Sequence, residues 1–131
     1  MSQPRYAALR ADIARELDNV QKLVSEAREW MHQPPDWPEM VRVRTAGSIL
    51  HDFYCGIERI FRYIALQIDE DLPAGADWHI QLLHRMATPI ETVRPAVLDH
   101  ETMRQLDEYL RFRHLFATSM ALIWSGSAAQ P

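Results

Sequence analysis

The stretch AGSILHDFYCGIERIFRYIALQI, residues 46–68, has one regular reading. Its apolar side chains Ala46, Leu50, Phe53, Ile57, Phe61, Ile64 and Ile68 recur at steps of three and four, the interval that returns a side chain to one face of an α-helix. The spacing predicts a helix over residues 38–69, ended by DEDLPAG with its proline and glycine. Upstream, Leu9, Ile13, Leu17, Val20, Val24, Ala27 and Met31 repeat the pattern and predict a helix over 4–32. Pro4 suits the first turn of that helix, because its missing N–H would be unpaired there anyway. Pro34, Pro35 and Pro38 separate the two segments. Downstream, DWHIQLLHRMA (77–87) predicts a short helix with Trp78, Leu82, Leu83 and Met86 inward and Asp77 as its N-cap. PIETVRPAVL (89–98) reads as an extended link. A last helix starts near Asp99, whose side chain can cap free amides, with Met103, Leu106, Leu110, Arg113, Ala117, Met120 and Trp124 as its inner stripe. No segment alternates like a strand. The expected fold is all-α, an antiparallel four-helix up-and-down bundle.

Composition agrees. The 131 residues suit one domain, expected over 1–124, followed by a flexible polar tail at 125–131. Hydrophobic residues make up 47%, enough for a core, and four glycines are few for a protein of tight-turned strands. A single cysteine, Cys55, excludes a disulfide framework and a multi-cysteine zinc module. No apolar run has membrane-spanning length, so a cytoplasmic protein is expected. The net charge of −4 argues against a broad electrostatic nucleic-acid surface but leaves room for a local phosphate site. Of the 14 basic residues only Lys22 is a lysine, and arginine is the better phosphate fork.

Among residues that carry chemistry, His51, Cys55 and Glu58 stand at helical spacing and could share a face, yet no second element offers matching ligands, so no metal site is expected. His79 and His84 are five apart, a poor interval for two ligands on one helix, and read as surface residues. Glu58, Arg59 and Arg62 read as solvated edge charges. His114 has no serine or cysteine motif beside it. Arg113 is different, because it falls on an otherwise apolar stripe. A cation buried there needs a carboxylate, a phosphate or a wet interface. Asp52 or Glu58 of the second helix could supply the carboxylate.

LHDFYCGIERIFRYIA (50–65), DWHIQLLHRMA (77–87), VRPAVL (93–98) and LDEYLRFRHLF (106–116) together resemble the HepT-like branch of the HEPN domains, in order and in spacing. The resemblance implies a helical bundle that forms a homodimer and a metal-independent ribonuclease needing no cofactor. In such systems HepT is the toxin partner of a nucleotidyltransferase-fold antitoxin, MntA. The family's motif is an arginine, four residues, a histidine or asparagine, one residue, and a tyrosine. Arg113 matches the first position and is the implied catalytic residue, holding the scissile phosphate. Five residues turn a helix by about 500°, so the arginine and histidine stand on neighbouring flanks, and two such helices in a dimer can converge on one phosphate.

The motif is incomplete. Its second position is Thr118 and its third Met120. Threonine does not titrate near neutral pH, and methionine offers no hydroxyl. The implied activity is therefore lost or nearly so. Relatives of this kind typically carry one more helix, which this sequence is expected to lack. The codons allow one account of the departure. Read from the third base of codon 116, any alanine codon behind the ATG of Met120 yields glycine at position 121. Any threonine codon behind Ala117 leaves histidine, asparagine, aspartate or tyrosine at position 118. A shifted frame can thus restore histidine at 118 and tyrosine at 120. A different class of function stays open beside the ribonuclease: a non-catalytic dimeric module that docks a nucleotidyltransferase-fold partner.

Overall fold

The computed structural model describes residues 4–32 and 35–113, which fall into two compact units dividing between Leu72 and Pro73. Thr118, Met120, His114, the end of the inner stripe and the tail at 125–131 lie outside the described residues. Among the described residues there are four α-helices and no strand, so the chain is all-α as expected.

The first unit is a helical hairpin. A 3₁₀ turn, Pro4–Tyr6, leads into α1, Ala7–His32, and α2 runs over Glu39–Ile64. A π-helical turn, Ala65–Asp69, extends α2, and Glu70 ends it in the left-handed region at φ 57°. The stop thus comes before Pro73 and Gly75, on a residue with a Cβ, its N–H returning to the Ala65 carbonyl. Residues 16 and 20 of α1 meet 56 and 59 of α2, while 30 and 31 stand beside 39–46, so the helices run antiparallel. The helices approach closely at Gly56, where an added Cβ would lie 2.8 Å from Val20 Cγ2. Val20 is β-branched and has little rotamer freedom with which to yield. We therefore expect Gly56→Ala to destabilise the hairpin by about 1–3 kcal/mol through overpacking, outweighing alanine's better helix propensity. A denaturation midpoint at or above that of the unmodified chain would contradict this.

The inward face of α1 differs from the expected stripe. Glu16 and Val20 are buried with Leu9, whereas Leu17 is 44% and Met31 74% exposed. On α2, Leu50 is likewise exposed, and Ile49, Tyr54, Ile60, Phe61 and Ile64 are buried. Both residue sets lie within one turn of the same helical period. Gly56 lets α1 come close to α2 where Glu16 meets Arg59, and with Glu16 and Val20 turned to that contact Leu17 faces out.

The second unit holds α3, Trp78–Met86, and α4, whose described part covers 100–113. Asp77 precedes α3 as expected but makes no side-chain cap. At φ −108° and ψ 26° it departs from the usual extended capping backbone, and its carboxylate instead accepts from Gln81 Nε2 at 2.7 Å. Asp99 does cap: its Oδ1 accepts the Thr102 N–H at 2.7 Å, and this bond holds its carboxyl below the usual range. The link at 89–98 is not extended. Ile90 and Arg94 exchange both backbone hydrogen bonds at 3.0 Å around a tight turn, with Thr92 at φ 65°. Arg94 then reaches back, donating Nη1 to the Thr88 and Pro95 carbonyls and Nη2 to that of Arg85. The Met86 carbonyl accepts from Val97 and Leu98. The link is thus a folded cap over the C-terminal end of α3, which otherwise leaves carbonyls unpaired. Leu82, Leu83 and Met86 are fully buried. No described helix is long and apolar enough to cross a membrane.

Candidate functional site

The α4 helix presents its charges in two sets. Arg104 forks between Glu101 and Glu108, one turn to either side, and all three are exposed. One turn on, Asp107 accepts from Arg111 Nε at 2.8 Å and stands 3.0 Å from Nε2 of His84, on α3. An ionised carboxylate only accepts, so His84 donates from Nε2. The Arg111 guanidinium first, and His84 second among the attractive partners, hold the Asp107 carboxyl below its usual range. His84 is thus a surface residue, as expected, but also the tie between α3 and α4. His79 is half-buried and stacks on Trp78 with ring centroids 3.6 Å apart.

The depressed Asp107 value has a definite sign. A carboxylate whose folded pKa is lowered stabilises the fold above its unfolded pKa, and loses that contribution as pH falls through the folded value. The α3–α4 tie should therefore hold at neutral pH and weaken below about pH 4, where aspartate protonates. Asp107→Asn should flatten that part of the acid limb of a Tm–pH curve, with a cost at pH 7 of no more than about 1 kcal/mol for such exposed partners. An unchanged acid limb in the variant would refute the assignment.

Arg113 is half-buried at the last described position of α4, six residues beyond Asp107 and two beyond Arg111. A two-residue step turns the helix by about 200°, so Arg113 and Arg111 leave α4 on nearly opposite sides. The exposed Phe112 stands between them. The suggested carboxylates lie on α2 of the first unit, Asp52 exposed and Glu58 buried. The buried Glu58 thus departs from the solvated edge charge expected of it. Arg59, by contrast, reaches across to α1, donating Nε to Glu16 Oε1 at 3.0 Å. Glu16 was not among the expected site residues, although it stands four residues before Val20, one helical turn away. Its second oxygen is buried with no hydrogen-bond partner among the described residues.

His51 Nε2 and Cys55 Sγ come within 3.6 Å on α2, as their spacing suggests. Glu58 does not complete a ligand set with them, and no group of three or more His, Cys, Asp or Glu among the described residues could hold a metal ion. Arg113 presents a permanently charged planar fork suited to a phosphate.

A helical domain with an arginine at this point of its last described helix narrows the class, and comparison with known families settles it. Residues 45–127, well over half the chain, match the family described as HepT-like protein. The chain belongs to the HepT-like family. The matched region takes in α2, α3 and α4 and runs through Arg113, Thr118 and Met120. No curated protein and no solved structure matches the chain.

Proposed function

We propose that this chain is a HepT-like HEPN protein of the ribonuclease-toxin kind, the RNA-directed half of a toxin–antitoxin pair, in a copy whose cleaving motif is incomplete. One observation carries the reading: the family match spans the motif segment, where Arg113 is kept while Thr118 and Met120 replace the imidazole and the phenol. Metal-independent phosphodiester cleavage needs a group to take the ribose 2′-hydroxyl proton and a cation to stabilise charge on the phosphate. The chain keeps the second and lacks the first at its family position. It therefore binds RNA at Arg113 without cutting it, acts as a homodimer in the cytoplasm, and docks a nucleotidyltransferase-fold antitoxin of the MntA kind.

The test is RNA binding by fluorescence anisotropy, with Arg113→Ala beside the unmodified chain. A charged hydrogen bond to phosphate contributes about 1.5–3 kcal/mol, so the variant should bind roughly tenfold or more weakly. Association with a nucleotidyltransferase encoded beside the gene, with no RNA binding at all, would overturn the RNA reading and leave a docking module.

A further inference from the structure

The outward side of α4 carries, next to Arg113, a residue that the motif does not use. Phe112 is 60% exposed, and among the described residues of α4 it is the one large apolar side chain left in the open. Its surroundings on the helix are specific. Tyr109, three residues earlier, and Arg113, one residue later, fall with Phe112 inside about 100° of helix arc, and both are half-buried. Thr102 and Gln105 complete that arc, polar and uncharged. Arg111 leaves on the far side, where Asp107 accepts from it. Glu108, four residues before Phe112, would repel an anion laid along the arc, but Arg104 pairs with its carboxylate.

An exposed ring beside a permanent cation is complementary to a ligand that joins a flat π face to an anion. A nucleotide is such a ligand: its base can lie on the ring while its phosphate meets the guanidinium. A protein partner fits less well. An apolar protein contact draws on several large side chains in one patch, and around Phe112 the described arc is otherwise polar. The geometry also selects the form of the nucleic acid. A base inside a duplex has neighbours on both faces, so only an unpaired base has a face to give to Phe112.

We propose that Phe112 is a base-stacking residue, that it takes the unpaired base of the nucleotide whose phosphate Arg113 holds, and that this chain therefore prefers single-stranded RNA. This role presupposes the RNA reading of Arg113 and adds to it the form of RNA that fits. Every base has a π face, so the ring distinguishes unpaired from paired strand and leaves sequence unread. Phe112 forms no bond to reacting atoms; it is a positioning residue, fixing where along the strand Arg113 takes hold.

The experiment is fluorescence anisotropy of the full chain with three labelled probes: a single-stranded oligoribonucleotide, its duplex, and a strand of the same length in which abasic sites replace the bases. Phe112→Ala, Phe112→Leu and Phe112→Tyr are measured beside the unmodified chain. The unmodified chain should bind the single strand more tightly than the duplex. Phe112→Ala should weaken the single strand about tenfold and leave the abasic strand within about twofold. Phe112→Leu should lose nearly as much as Phe112→Ala, because it keeps the apolar bulk without the π face, and Phe112→Tyr should stay within about threefold of the unmodified chain. The ratio of ordinary to abasic affinity within each variant does not depend on how much of that variant is folded. A Phe112→Leu variant that binds like the unmodified chain overturns the proposal, as does an equal loss on the abasic strand or a duplex bound as tightly as the single strand. If Arg113→Ala weakens binding and Phe112→Ala does not, the stacking role alone falls. If the unmodified chain binds none of the probes, the RNA reading itself falls and takes this role with it.

Discussion

Incubated with RNA in the absence of any antitoxin, the chain should leave its substrate intact, and Arg113→Ala should change nothing in that assay. Removal of a general acid–base group costs about 10²–10⁴-fold in rate, and here the imidazole is missing at the family position. The double substitution Thr118→His with Met120→Tyr should then raise cleavage by about 10²-fold or more without added metal, and the gain should vanish when Arg113→Ala is added. Time courses on a labelled oligonucleotide read all three. Vigorous Arg113-dependent cleavage by the unmodified chain would refute the account of Thr118 and Met120. The frame explanation is tested separately, by the native DNA across codons 110–131. Codons that yield no histidine at position 118 and no tyrosine at 120 in the shifted reading would dispose of it and leave ordinary divergence.

The second large effect concerns α3. Leu83 is fully buried, on a nine-residue helix whose C-terminal end depends on the folded link. Leu83→Ala removes three heavy atoms from a site with no exposed surface, and should cost about 2–5 kcal/mol. For a chain of this size that lowers Tm by roughly 10 °C or more. Thermal unfolding followed by circular dichroism measures it, and a Tm within a few degrees of the unmodified chain would mean that the α3 face is far less tightly packed than its burial implies.

The candidate site was legible to different depths. Arg113 stood out because a charge interrupts an apolar stripe, which is a local pattern. The gaps at Thr118 and Met120 stood out against the family motif. The His84–Asp107 tie was only half visible: the four-residue step from Asp107 to Arg111 is a helical pair readable in the chain, but His84 belongs to another helix, 23 residues earlier. Glu16 and Arg59 are 43 residues apart. Nothing local distinguishes such partners from other acidic and basic residues at the same helical spacing.

The sequence alone determined the helices, since a period of three and four in apolar residues, punctuated by proline, has few other solutions. It also determined the Asp99 cap, because an aspartate three residues ahead of a free amide can satisfy it without help from the rest of the chain. Only the tertiary structure decided which neighbour on each stripe faces inward. Glu16 is buried and Leu17 exposed because the close approach at Gly56 and the reach of Arg59 set the rotation of α1, and both belong to the opposite helix. Only the tertiary structure, too, turned 89–98 from an extended link into a cap. The carbonyls that draw Arg94 back are those of Arg85 and Thr88 at the end of α3, and their need for donors appears only once that helix has formed and ended. Helical period is a property of adjacent residues. Rotation and closure depend on contacts between residues far apart in the chain.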